Sequence, residues 1–166
     1  MISADELAEF YRKIGATLWN LQYLEDVLTT FLTSKIVHER RCAGRKVAVS
    51  NAQALLVQKR RMTLGPLIKS CSNRKIIRPE HHQRFESFKI ERHWLVHRCM
   101  VEIGDDLYVE STRDAVFTRV TAIQEESISL KKLVVDDFNA WMAAHGLDLG
   151  AAQKRAEEAV RKLKGA

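Results

Sequence analysis

Proline and glycine are scarce, 2 and 7 in 166 residues. That works against sandwiches and barrels, whose short strands need a turn roughly every ten residues. Cysteine gives no framework either. Cys42, Cys71 and Cys99 are an odd three without close spacing, neither a disulfide set nor a zinc set, and are expected as reduced thiols. No apolar run approaches the roughly 20 residues of a membrane span. Residues 1–6 show no basic n-region and no apolar h-region, so no secretory signal is visible. A cytoplasmic setting without a membrane partner is expected. The chain also lacks a Gly-rich phosphate loop, a G-x-S-x-G elbow, a CxxC pair and an H-E-x-x-H motif, and no cofactor is expected. His93 and His97 sit at i and i+4, but no carboxylate on their helix completes a metal set. No metal is expected.

What is present is an apolar fraction of 46%, enough for a core and too much for disorder. A single domain over 1–166 is expected. The net charge is +6 and unevenly placed. Residues 35–61 hold eight bases (Lys35, Arg40, Arg41, Arg45, Lys46, Lys59, Arg60, Arg61) against Glu39 alone. Residues 74–98 hold seven against three acids, and residues 99–137 reverse the sign with nine acids against four bases. A basic middle beside an acidic flank is the pattern of a polyanion-binding face. RNA is the expected partner, with Arg40, Arg41, Arg45 and Arg98 as candidate substrate-binding residues.

The apolar spacing is helical almost throughout. Leu7, Tyr11, Ile14, Leu18, Leu21, Leu28 and Leu32 form one stripe of a helix over 3–37, with Ser3 and Glu6 as a capping box. Glu25 falls on that stripe and needs a partner. Residues 38–49 read as a basic loop. Ser50 is expected to cap a helix reaching Arg61, a short piece follows over 63–70, and 72–78 connect. Pro79 opens a helix to about residue 101 with Phe85, Phe88, Leu95 and Cys99 as its stripe. After a break at Gly104, residues 107–110 read as extended. Ser111 or Thr112 then caps a helix through Val116, Val120, Ile123, Leu130, Val134, Phe138 and Trp141, interrupted only at Ser127 and stopped by Gly146. Asp148 caps a last helix over 149–163. The expectation is an all-α, four-to-five-helix up-and-down bundle.

Residues 91–98 read Glu-Arg-His-Trp-Leu-Val-His-Arg. Arg92 precedes His97 with four residues between, a polar His93 directly follows the arginine, and Trp94, Leu95 and Val96 fill the gap. This resembles the R-x4-6-H motif of the HEPN superfamily, all-helical domains that include many metal-independent RNases. By spacing alone about 1.6 chance matches are expected in such a chain, and Arg74–His81 is a second match. Only Arg92–His97 also has the family's polar residue after the arginine and lies in a strong helix. In the branch of the family paired with a nucleotidyltransferase antitoxin, a tyrosine stands two positions after the histidine; here that position is Cys99. An antitoxin partner and a toxin-like role are further implications of the resemblance.

The residue types fit RNA cleavage by its own 2′-hydroxyl. Histidine exchanges a proton near neutrality, and an arginine fork matches two phosphoryl oxygens. His97 is the candidate acid/base, Arg92 the clamp and His93 a supporting residue. On a uniform α-helix Arg92 lies about 140° round from His97. Two copies across a two-fold would complete the cleft, so a homodimer is expected, an arrangement the resemblance also implies. Competing readings are a non-catalytic RNA- or nucleotide-binding domain and a protein-interaction bundle. Glu25 is the candidate ion-pair partner of Arg92 should that arginine be structural.

Overall fold

The computed structural model describes residues 3–104, 109–147 and Arg161. Among them every regular element is helical. They fall into two compact units, the first ending at Val134 and the second beginning at Val135.

In the first unit, α1 (Ala4–Cys42) opens on the expected capping box, the Ser3 and Glu6 side chains each accepting the other's amide. It does not stop at residue 37. Residues 38–42 contain no breaker, and Arg40 and Arg41 suit the negative end of the helix dipole. Gly44, at φ 74°, is the stop: its amide donates to the Arg41 carbonyl and the Arg45 amide to that of Arg40. α2 (Val49–Arg60) begins after Ala48, so Ser50 lies inside its first turn and caps nothing. α3 (Leu64–Asn73) carries Pro66 in its first turn and ends with Lys75 in the left-handed region, φ 54°.

α4 (Pro79–His93) starts on Pro79, whose missing N–H costs nothing there. The single helix expected to residue 101 is instead α4, a π-helical turn (Trp94–Arg98) and α5 (Cys99–Ile103). In the π turn the Cys99 amide reaches back to the Trp94 carbonyl, five residues rather than four. α6 (Glu110–Ala144) starts ahead of Ser111 and Thr112, so neither caps it. Glu110 is helical rather than extended, and residues 107 and 108 lie outside the described residues.

Cross-helix pairs give the helix directions. Arg113 meets Glu6, and Phe117 meets Phe10, so α6 runs parallel to α1. Arg84 meets Glu126, and Glu91 meets Arg119, so α4 runs against α6. Arg60 returns to Asp26, making α2 antiparallel to α1. α3 climbs α1 from Leu28 at Cys71 to Lys35 at Arg74. The sense therefore alternates through α1, α2, α3, α4 and α6.

Leu21, Leu24, Leu28, Phe31 and Leu32 of α1, Leu67 and Ile68 of α3, Phe85 and Phe88 of α4, and Val120, Ile123, Leu130 and Val134 of α6 are buried. Each such side chain contributes about 1.5–3 kcal/mol by leaving water. Tyr11, expected on the stripe, is exposed, and its neighbour Phe10 is fully buried. Ser127 is no interruption: it is fully buried, with its hydroxyl donating to the Gln124 carbonyl at 2.7 Å. Thr17 and Thr29 enter the core by the same device, bonding to Lys13 and Glu25 carbonyls.

In the second unit, α6 ends as expected at Gly146, φ 62°, whose amide donates to Ala143 while that of Leu147 donates to Met142. Phe138 and Trp141 stack there, ring centroids 6.3 Å apart. Asp148 and the helix expected over 149–163 lie outside the described residues except Arg161, which is helical and exposed.

Candidate functional site

The segment 91–98 straddles the change from α-helical to π-helical backbone. Trp94, Leu95, Cys99 and Ile103 are all buried. A uniform α-helix aligns residues 95, 99 and 103 but turns residue 94 away. The wider turn accommodates the extra residue and seats both Trp94 and Leu95. It also reduces the rotation between Arg92 and His97 below the 140° of a uniform helix.

Trp94 anchors the turn. Its Nε1 donates to Glu102 Oε2 at 2.8 Å, and the Arg119 guanidinium lies 3.7 Å from its ring centroid. Arg119 forks onto Glu91 at 2.8 and 3.1 Å. Glu102 also accepts from Arg98 Nε at 3.1 Å. No site role for Glu91, Glu102 or Arg119 is legible in the sequence: Glu91 opens the motif segment, Glu102 is one of nine acids over 99–137 and Arg119 one of four bases there.

His93 and His97 face solvent side by side, ring centroids 4.9 Å apart. Arg92 points the other way, into α1. Its Nε donates to Glu25 Oε1 at 3.2 Å, and the two side chains are 23% and 25% exposed. The Arg92 terminal amines make no hydrogen bond among the described residues. One fork edge is thus held, and the other has no acceptor among the described residues.

The four candidate substrate-binding arginines do not converge. Arg40, Arg41 and Arg45 are exposed at the C-terminal end of α1 and make no ion pair among the described residues. Arg98 is exposed beside His97 and paired with Glu102. α4 runs against α1, so Arg98 lies toward the opposite end of α1 from Arg40. The helical rise puts them about 30 Å apart along the axis. Part of the basic stretch is also occupied: Lys35 donates to the Arg74 carbonyl, Arg60 pairs with Asp26, and Arg74 pairs with Glu39.

The three thiols are free, Cys42 exposed and Cys71 and Cys99 buried. Burial pushes the Cys71 thiol up to about 12 and raises that of Cys99. Neither is a nucleophile in this setting. No group of three His, Cys, Asp or Glu side chains among the described residues is placed to hold a metal. No described helix is long and apolar enough to cross a membrane. Compared with protein-family models, curated proteins and solved structures, the chain matches none.

Proposed function

We propose that this chain is a metal-independent endoribonuclease of the HEPN type acting on single-stranded RNA. The observation that carries the reading is the exposed His93–His97 pair on a π turn beside Arg92, whose terminal amines have no acceptor among the described residues. π turns inside α-helices recur at functional sites. In the reaction the 2′-oxygen bonds to phosphorus and the bond to the 5′-oxygen breaks. One proton leaves the 2′-hydroxyl and one reaches the 5′-oxygen, leaving a 2′,3′-cyclic phosphate and a 5′-hydroxyl. His97 handles the protons, Arg92 faces the phosphoryl oxygens, and His93 orients the substrate or His97.

A homodimer belongs to this proposal. Ile90, Val96, Met100 and Val101 are exposed around the histidines, apolar surface that a second copy would cover. An antitoxin partner and a cytoplasmic, toxin-like role stay with the same reading.

The largely buried Arg92–Glu25 pair favours a second reading, a non-catalytic RNA-binding domain in which Arg92 is structural. Incubating the protein with single-stranded RNA in EDTA separates the two. Cyclic-phosphate products lost in His97→Ala support the nuclease. Binding without cleavage under any condition supports the alternative.

A further inference from the structure

Between α1, α2 and α3 lies a groove of about 470 Å³, lined by Lys59, Ser70, Asn73 and Arg74 with Leu32 and Ile36 along α1. Every polar side chain in that lining can donate a hydrogen bond, and none is a carboxylate. The Lys59 ammonium has no ion-pair partner among the described residues. Ser70 and Asn73 stand one helical turn apart on α3, and Arg74 follows directly.

The surrounding charge is positive after its opponents are counted. Lys35, Lys59, Arg74 and Lys75 face Glu39, which pairs with Arg74. The C-termini of α2 and α3 each add roughly half a negative charge. A surplus of about two positive charges remains. Burial first lowers the Lys35 ammonium below the ordinary lysine range, Glu39 opposes, and Arg74 and Lys75 add to the fall.

Leu32 and Ile36 lie between Glu25 and Arg40 on α1. The helical rise puts Lys35 about 15 Å from Glu25 along the axis and Arg40 about 8 Å further on. The groove thus occupies the interval along α1 between the Arg92 site and Arg40, Arg41 and Arg45, which make no ion pair among the described residues.

We infer that this groove is a phosphate-binding subsite, with Lys59 and Arg74 supplying charge and Ser70 and Asn73 supplying neutral donors. Its guest is a phosphate group of a nucleotide or polynucleotide. The inference goes beyond the cleavage reading and does not need it: phosphate binding is measured without turnover.

The test is calorimetric titration of the full chain with inorganic phosphate, backed by amide spectra. Expected are saturable binding, shifts confined to the ends of α2 and α3, and about tenfold weaker binding in Lys59→Gln and Ser70→Ala. Lys69→Gln, exposed on α3 outside the groove, should stay within about twofold. RNA trinucleotides with and without a 5′-phosphate then identify the source. A requirement for the 5′-phosphate supports a terminal monoester, and equal binding of both supports an internal phosphodiester. Absence of saturable phosphate binding overturns the inference, as do shifts confined to residues 40–45 or unchanged affinity in folded Lys59→Gln and Ser70→Ala. Failed phosphate binding with RNA still cleaved removes the subsite alone; intact phosphate binding without cleavage removes the nuclease alone.

Discussion

Arg92 spans from α4 to α1 and bonds Glu25 through Nε, leaving both terminal amines without an acceptor among the described residues. A guanidinium held by one edge is fixed in orientation while keeping its charge. This single relationship serves stability and the proposed chemistry together, and substitutions separate the two. Arg92→Ala strands a carboxylate that is about three-quarters buried and should cost about 1–3 kcal/mol in chemical denaturation. The Glu25→Gln/Arg92→Gln double variant should recover part of that loss. Arg92→Lys keeps the charge and loses the fork. It should fold with less than about 1 kcal/mol lost and still cleave RNA about tenfold or more slowly. Full activity in folded Arg92→Lys would leave Arg92 only its structural role.

The two histidines should differ in consequence. His97→Ala should lose about 10²–10⁴-fold in cleavage rate, the scale of one acid/base residue, and His93→Ala should lose less. Both are exposed, so melting temperatures should stay near the wild-type value. Equal losses in the two variants would contradict the division of labour proposed for them.

RNA affinity should fall steeply with salt, because bound Lys and Arg displace counterions from the strand. Reversing Arg40, Arg41 and Arg45 together should lower the affinity and flatten the salt slope without altering the fold, since none is paired among the described residues. A salt slope unchanged by the triple reversal would exclude the end of α1 from the interface.

Apolar period was the most legible part of the chain. Phe85, Phe88, Leu95 and Cys99 are buried as the spacing requires, and the Ser3–Glu6 box and the Gly146 stop are where local chemistry puts them. Two signals misled. Basic charge over 38–42 suggests a loop, yet charge does not break a helix and Gly44 does. Tyr11 and Phe10 both keep helical spacing between Leu7 and Ile14, and packing against Phe117 decides that Phe10 is the buried one. The π turn was illegible because it buries two adjacent residues, Trp94 and Leu95, and the partners of Trp94 lie on α5 and α6. Glu25 was legible as a carboxylate in need of a partner, but its partner lies 67 residues away. The dispersal of the arginine candidates follows from helix direction, which composition does not carry.

Lys75 holds a left-handed backbone at φ 54°, where its amide donates to Ser72 and that of Ile76 to Cys71. Glycine takes this position without steric cost. Lys75→Gly should therefore stabilise the fold by about 0.5–1 kcal/mol. The same change removes one charge from the rim of the phosphate groove, so phosphate affinity should fall while the melting temperature rises. A drop in melting temperature would show that the Lys75 side chain contributes more than its backbone costs.

Cys71 gives the fold an alkaline limit. Its thiol, buried between α3 and α1 with the Leu28 carbonyl 3.9 Å from Sγ, is pushed from about 9 up to about 12 by loss of water around the thiolate. Below pH 9 the thiol is protonated in both folded and unfolded chains, and the protonated fold has its full stability. Between pH 9 and 12 the unfolded chain releases the proton and the folded chain keeps it, so stability falls as pH rises. Three pH units correspond to at most about 4 kcal/mol. Cys99 shifts in the same direction; Lys35, lowered by burial, works against both as pH rises toward 10.5. Denaturant midpoints from pH 8 to 11 should therefore decline in the wild type. Cys71→Ala should start lower because it leaves a small cavity, yet decline less steeply. Parallel curves for the two proteins would mean that the thiol finds water in the folded state.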